Sequence, residues 1–110
     1  MALDMVSIAK EIYEAAKRLQ NSGDILFTLA REYAEAEKEY REALAKEILI
    51  LKDSGMSVTL ISDLARGKVA DWKFKRDLGE VRYKCGRDKV QALQSEISAL
   101  QTLYKRQEDL

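Results

Sequence analysis

Few side chains in this sequence could carry chemistry. The carboxylates Glu35, Glu39 and Glu42 recur at helical spacing and could hold a metal ion if imidazole ligands accompanied them. The chain contains no histidine, so it lacks the Glu-x-x-His pairs of di-metal bundles and the imidazole of nucleophilic triads. It also lacks a glycine-rich phosphate-binding loop. We therefore predict a protein that is not an enzyme, with no catalytic residues, no metal and no cofactor.

The single cysteine, Cys85, cannot form an internal disulfide, which favours a reducing compartment. Because Cys85 lies beside an apolar line, we predict a small core residue rather than a reactive thiol. The longest apolar run, ILIL at residues 48–51, is far shorter than a membrane span, and the first residues do not resemble a signal peptide. These features predict a cytoplasmic protein that does not enter a membrane.

A local excess of positive charge lies in residues 66–89. This segment has nine basic and four acidic residues, although the whole chain has no net charge. With Trp72, Phe74 and Tyr83 interleaved, the segment could bind phosphates and stack a base. The candidates for phosphate binding are Arg66, Lys68, Lys73, Lys75 and Arg82. The alternative is a solvated helix face that pairs with the acidic residues 32–42 of a neighbouring subunit.

Residues 53–76 resemble the helix-turn-helix of transposase-like and resolvase-like DNA-binding domains. The residues that carry this resemblance match the apolar, glycine and serine positions of the motif: Gly55, Met56, Ser57, Val58, Ile61, Leu64, Val69 and Trp72. The resemblance implies a recognition helix that carries Val69 and Trp72. The sequence departs from the motif between Leu64 and Val69, where it is shorter than the usual turn. DNA binding by this segment is therefore an alternative function.

Two heptad tracks organise the chain, with residues recurring at alternating steps of three and four as in a coiled-coil seam. The first track consists of Met5, Ile8, Ile12, Ala15, Leu19, Ser22, Leu26, Leu29, Tyr33, Ala36, Tyr40, Ala43, Glu47 and Ile50. The second consists of Val69, Trp72, Arg76, Gly79, Tyr83, Gly86, Val90, Leu93, Ile97, Leu100, Tyr104 and Gln107. The tracks predict helices over residues 4–53 and 68–107 and a corner over 54–67. A kink or break at residues 21–24 is the alternative for the first helix.

Two long helices joined by a corner should pack antiparallel. The predicted fold class is all-α: a long, coiled-coil-like helical hairpin with a short helix at the corner, forming a single domain over residues 1–110. Gly55 should end the first helix in a left-handed conformation. Ser57 should cap the short helix, and Gly67 should close it.

A reversal centred near Ile61 sets the register of the predicted hairpin. Tyr40 then lies between Gly79 and Gly86, where the missing side chains leave space for large rings, and Tyr33 and Tyr40 are the natural occupants. This register makes the two glycines part of the interface between the helices.

The same register brings Glu47 close to Lys75 and Arg76, so that charges of opposite sign meet near the corner. Trp72 lies on the second track close to this pair. The predicted structural interface residues are Tyr40, Glu47, Trp72, Arg76, Gly79 and Gly86.

Beside the second track runs another line of apolar residues: Leu78, Cys85, Ala92 and Ala99. The apolar stripe is therefore wider than a two-helix contact requires. We predict that the hairpin assembles into a dimer or higher oligomer, as a four-helix or larger bundle.

Three segments resemble a group of small helical proteins encoded by phages and prophages of Gram-positive bacteria: EYREALAKEI, GMSVTLISDLARG and ALQSEISALQTLYKRQE. The resemblance implies a phage source rather than an activity. By analogy, such a protein would be a non-enzymatic accessory protein that self-associates and binds a replication or recombination factor or a host defence component. The alternatives are nucleic-acid binding through residues 66–89 and sequestration of a small nucleotide messenger.

Overall fold

The computed structural model describes residues 4–109, which form three α-helices: α1, Met5–Asp53; α2, Val58–Lys68; and α3, Ala70–Glu108. No strand occurs among these residues. The predicted all-α class is confirmed. Helix α1 continues without a break through residues 21–24.

The chain divides into two compact units. The first comprises the described parts of Met1–Phe27 and Lys84–Leu110, and the second comprises Thr28–Tyr83. Each unit contains one part of α1 and one part of α3, and the second unit also contains the whole of α2.

Helix α1 ends in the left-handed turn that the sequence predicts at Gly55. Gly55 has a φ of 81°, the only positive φ within residues 4–109. Its N–H donates to the Lys52 carbonyl at 3.1 Å, and the Met56 N–H donates to the Leu51 carbonyl at 3.3 Å. These two hydrogen bonds form a Schellman motif, which satisfies carbonyls that the end of a helix would otherwise leave unpaired.

A small core in the second unit joins α2 to the end of α1. Leu51, Ile61 and Ala65 are buried together, and the side chains packed against them are Leu44, Ile48 and Met56. Burial of a large aliphatic side chain contributes about 1.5–3 kcal/mol. Because α2 packs along α1, the chain reverses within residues 54–57 and α2 already belongs to the returning arm.

Of two predicted details of the corner, the position of the Ser57 cap is confirmed and the role of Gly67 is wrong. Ser57 stands at the N-cap position of α2, but its hydroxyl forms no capping hydrogen bond and lies 3.0 Å from the Thr59 hydroxyl. Gly67 does not close α2, which continues to Lys68, because Gly67 does not adopt a positive φ.

Only Val69 separates α2 from α3. Hydrogen bonding continues across this junction, since the Val69 N–H donates to the Ala65 carbonyl at 3.1 Å and the Lys73 N–H donates to the Val69 carbonyl at 3.1 Å. A helix-turn-helix requires a turn of several residues and a recognition helix that is free to enter a groove. The one-residue junction and the burial of Val69 disfavour that interpretation of residues 53–76.

In the first unit, Ile8 and Ala15 are buried. Asp4 caps the start of α1, because its carboxylate accepts a hydrogen bond from the Ser7 N–H at 2.7 Å. This bond favours the charged carboxylate and lowers the pKa of Asp4. Farther along α1, Arg18 forms an exposed ion pair with Glu96 of α3 at 3.2 Å.

The two heptad tracks coincide with the less exposed positions of both long helices. On α1, every track residue from Met5 to Glu47 is buried or partly buried, and Ile50 is exposed. On α3, every track residue from Arg76 to Gln107 is partly buried, whereas Trp72 is exposed. The periodicity of the sequence therefore predicted which faces of the helices pack.

Candidate interaction surface

Gly79 brings the backbone of α3 close to α1 at Tyr33. A β-carbon on Gly79 would lie 3.2 Å from the Tyr33 Cα. The Tyr33 ring stacks with the Tyr83 ring at a centroid distance of 6.3 Å, and its hydroxyl donates to the Glu80 carboxylate at 3.4 Å. The absent side chain at Gly79 thus makes room for an aromatic pair between the two helices.

These contacts correct the predicted register. Gly79 faces Tyr33 instead of Tyr40, and Glu47 forms an ion pair with Lys68 at 3.8 Å instead of pairing with Lys75 or Arg76. Both contacts differ from the prediction by one heptad. The physical reason is the early reversal at residues 54–57, which makes each α1 residue face an earlier residue of the returning arm.

Arg76 occupies a half-buried seam position surrounded by carboxylates. Its guanidinium lies 6.0 Å from the Tyr33 ring centroid, within the range of a cation–π contact. It forms ion pairs with Asp77 at 2.9 Å and with Glu37 and Glu80 at 3.7 Å each. The hydrogen bond to Asp77 and the charge of Glu37 raise the pKa of Arg76, so this guanidinium keeps its positive charge.

Two polar atoms near these ion pairs have no hydrogen-bond partner among the described residues: Arg76 Nε and Glu47 Oε2. Arg76 Nε lies 3.7 Å from a Glu37 carboxylate oxygen, and Glu47 Oε2 lies 3.8 Å from the Lys68 ammonium, so both distances are too long for good hydrogen bonds. These two atoms are thus balanced by a nearby opposite charge without a direct hydrogen bond, whereas Nη1 of Arg76 donates to Asp77 at 2.9 Å.

Three of the five residues predicted to bind phosphate already pair with carboxylates of the same chain. These pairs are Lys68–Glu47 at 3.8 Å, Lys73–Asp77 at 3.0 Å and Arg82–Glu32 at 3.3 Å. The other two candidates, Arg66 and Lys75, are exposed and form no ion pair within residues 4–109. The predicted phosphate site is therefore partly neutralised.

The acidic residues 32–42 find basic partners within the chain. Glu32 pairs with Arg82 and Glu37 pairs with Arg76, all within the second unit. The alternative prediction from the sequence was that this acidic segment pairs with the basic residues of a neighbouring subunit. The intramolecular pairs show that a second chain is not needed to neutralise these two glutamates.

Three large apolar residues of α3, Phe74, Leu78 and Val81, lie exposed at spacings of four and three. Their exposed fractions are 67%, 47% and 56%. Such spacing places the three side chains on one face of the helix. We refer to these three residues as the outer stripe. The sequence pointed to this face through Leu78, but Phe74 was assigned to base stacking and Val81 was missed.

Helix α1 has exposed apolar residues that the sequence interpretation overlooked. Val6, Tyr13 and Phe27 are all more than half exposed and lie at whole-heptad intervals. Following a single track on α1 missed this second line, which a search for parallel periodicities would have found.

A groove of about 540 Å³ lies in the first unit between Ile12 of α1 and the last turns of α3, near Tyr104 and Lys105. Its volume is within the range of ligand pockets. However, Lys105 is the only cation in its lining and Glu108 is also present, so the groove does not offer the cluster of positive charges that a nucleotide phosphate requires.

Within the described part of the chain, no group of three or more cysteine, aspartate or glutamate residues is arranged to hold a metal ion. None of the described helices is sufficiently long and apolar to span a membrane. Comparison with known proteins found no matching family model, no similar curated protein and no similar solved structure.

Proposed function

We propose that this protein is a non-enzymatic interaction protein that self-associates and binds a protein partner through exposed apolar helix faces. The observation that carries the proposal is the contrast between its interior and its surface. Only six apolar residues of the described chain are buried: Ile8, Ala15, Leu51, Ile61, Ala65 and Val69. Many larger apolar side chains, including the outer stripe, remain exposed.

Exposed apolar side chains in groups indicate contact surfaces, whereas isolated ones need no explanation. The outer stripe and the line of Val6, Tyr13 and Phe27 each follow one face of a helix. A second helix packed on either face would remove these side chains from water. Resemblance to small phage-encoded helical proteins supports an accessory role of this kind, and the phage source remains a prediction.

Nucleic-acid binding through residues 66–89 is the second candidate function. Exposed Arg66 and Lys75 favour it, because both cations are available to phosphates. The intramolecular pairing of Lys68, Lys73 and Arg82 favours the first proposal instead. Sequestration of a nucleotide messenger has no comparable support from the groove in the first unit.

Sedimentation equilibrium at micromolar concentration tests self-association, with a dimer or larger oligomer expected. A monomer across the whole concentration range would reject that part of the proposal. Fluorescence anisotropy with labelled single-stranded and double-stranded oligonucleotides tests the second candidate. A nucleic-acid binder would lose affinity steeply as salt rises, and we expect no saturable binding even at low salt.

A further inference from the structure

We infer that a second copy of the chain covers the exposed apolar face of α1 in the first unit, with the two α1 helices antiparallel. The inference rests on the self-association in the proposed function and names its surface and orientation. Val6, Tyr13 and Phe27 lie on this face at whole-heptad intervals and are 80%, 63% and 69% exposed. The chain itself leaves these side chains in water.

Small residues occupy the positions between the large ones. Ala9, Ala16 and Gly23 each lie three residues after a position of the large series, in which Gln20 takes the third place. All three small residues are exposed. Steps of three and four therefore run along this face as they do along the packed track. Helix α1 carries a second seam, with mostly large side chains at one heptad position and small ones at the other.

Gly23 is not explained by the packing of its own chain. It lies inside α1 without a positive φ, and a β-carbon added there would meet nothing within 4 Å. A glycine inside a helix lowers the stability of that helix relative to alanine. Room for a side chain of another molecule is a physical reason for a glycine at this position.

Antiparallel pairing of two such seams sets large side chains against small residues of the other copy. If the twofold axis lies at the level of residue 18, residues equally far from that position in opposite directions face each other. Tyr13 then faces Gly23 of the second copy, and Phe27 faces Ala9 of the second copy. By symmetry both contacts occur twice. The ring of Tyr13 would occupy the space that Gly23 leaves open.

Parallel pairing fits the same seam poorly. It would set Tyr13 against Tyr13 and Phe27 against Phe27, whereas Gly23 would face Gly23 and leave a gap. The seam is therefore complementary to itself in the antiparallel orientation alone. This self-complementarity identifies a second copy as the occupant, because every copy carries the pattern that the other needs.

The contact is large enough to contribute substantially to a dimer. A fully covered aromatic side chain buries about 150–250 Å². With Tyr13 and Phe27 about two-thirds exposed, the four rings of a twofold pair supply about 500 Å². This is about half of the roughly 1,000 Å² that a specific interface needs. Close approach of the two helices at Ala9, Ala16 and Gly23 adds further buried area.

Charge along the seam does not oppose the pairing. One edge carries Lys10, Lys17 and Asp24, and the other edge is the packed track. Antiparallel pairing brings Lys10 near Asp24 of the second copy, where the charges attract. The two Lys17 side chains approach the axis, but each ammonium lies over the Tyr13 ring of its own chain at 5.6 Å, and salt screens exposed like charges.

Replacement of Gly23 separates the dimer contact from the stability of the single chain. Gly23→Gln adds a side chain where the single chain has open space, so the dilute chain should unfold at a higher temperature. In the dimer the same side chain meets Tyr13 of the second copy, so the dissociation constant should rise at least tenfold. Gly67→Gln is the matched control, because the β-carbon at that glycine also meets open space, and it should leave dissociation unchanged. Sedimentation equilibrium measures the dissociation constants.

Engineered disulfides test the orientation. Ala16 of one copy should face Gln20 of the other, so an equal mixture of Ala16→Cys and Gln20→Cys chains should form disulfides between positions 16 and 20 on oxidation. Both variants carry Cys85→Ala, which removes the native thiol. Parallel pairing would instead join 16 to 16 and 20 to 20 in the unmixed samples. Non-reducing gels and peptide mass mapping distinguish these products.

The outcomes separate the inference from the proposed function. An oligomer whose dissociation constant is unchanged in Gly23→Gln overturns the inference and leaves self-association in place, through another face. Disulfides that join 16 to 16 overturn the antiparallel orientation and with it the inference. A chain that is monomeric at every concentration overturns both the inference and the proposed self-association. Circular dichroism of each variant checks that the helices are retained.

Discussion

Gly79 approaches Tyr33 so closely that a β-carbon on the glycine would lie 3.2 Å from the Tyr33 Cα. This distance is shorter than an ordinary van der Waals contact, and the atom that the new carbon meets belongs to the backbone of α1. The separation of the two helices in the second unit is thus limited at this point by the size of a single side chain.

Enlarging Gly79 should therefore destabilise the protein. Gly79→Leu should cost about 1–3 kcal/mol through overpacking, more than the gain of about 1 kcal/mol in helix propensity. Gly67→Ala is the matched control, because nothing lies within 4 Å of its added β-carbon. Urea denaturation should show a more stable Gly67→Ala and a less stable Gly79→Leu. Equal stabilisation of both variants would contradict the close approach.

Replacement of Gly55 tests the turn between α1 and α2. Gly55→Ala should lower the free energy of unfolding by about 1–2 kcal/mol, because an L-residue is strained at the φ of 81° found there. Gly55→Asn should cost less, since asparagine tolerates the left-handed region better. Thermal and urea unfolding measure both effects. Identical losses for alanine and asparagine would indicate that the left-handed backbone is not the cause.

The Arg76 guanidinium should matter mainly by neutralising its carboxylate neighbours. Arg76→Leu removes the cation that lies 3.7 Å from each of the half-buried carboxylates of Glu37 and Glu80, so the melting temperature at neutral pH should fall. The melting temperature of Arg76→Lys should fall less, because lysine keeps the charge and loses only the planar group over Tyr33.

Lowering the pH should reduce the defect of Arg76→Leu. Lys73 first, and Arg76 second, hold the pKa of Asp77 low, so this aspartate stabilises the fold above its ordinary pKa and the stabilisation is lost as pH falls through the lowered value. Once the pH falls below the lowered pKa of Asp77, this aspartate is protonated in the unmodified chain as well, and the melting temperatures of Arg76→Leu and the unmodified chain should converge. An undiminished difference would point to lost packing instead.

The Asp4 cap should also be sensitive to pH. Hydrogen bonding from Ser7 lowers the pKa of Asp4, so the cap stabilises α1 above the ordinary aspartate pKa of about 3.9 and weakens as pH falls through the lowered value. Asp4→Asn should keep the cap and remove its pH dependence, whereas Asp4→Ala should lose the cap at every pH. Hydrogen exchange of the backbone amides in the first turn of α1, followed as a function of pH, measures how well the cap protects them. Equal pH dependence in Asp4→Asn would contradict the assignment.

Sequence periodicity predicted the packed faces well because alternating steps of three and four identify the buried face of a helix. This identification does not depend on which residues of the partner helix pack against that face. Periodicity did not predict the register between the two helices. If one helix slides by one heptad along the other, the same seam residues still face inward, so the pattern is equally consistent with both registers. Tyr33 and Tyr40 are both aromatic seam residues, so the sequence alone could not decide which one meets Gly79. The position of the reversal decided it, and that depended on whether α2 closes the end of the hairpin or packs along α1.

The candidate surface was only partly predictable. Leu78 stood out as an apolar residue beside the second track, but the basic residues around it suggested phosphate binding. Pairing of Lys68 and Arg82 with Glu47 and Glu32 depends on contacts between distant parts of the chain. Such pairings follow from the register, so an error of one heptad changed the predicted partner of Glu47.

The one-residue junction at Val69 limits how a chain of this kind can change length during evolution. Because hydrogen bonding passes through Val69, an insertion or deletion of one residue there would rotate the following side chains by about 100° and turn Tyr83 away from Tyr33. Residues 54–57 lie outside the helices and can vary in length at lower cost. We expect related chains to differ in length at that turn, or by whole heptads inserted in both arms together.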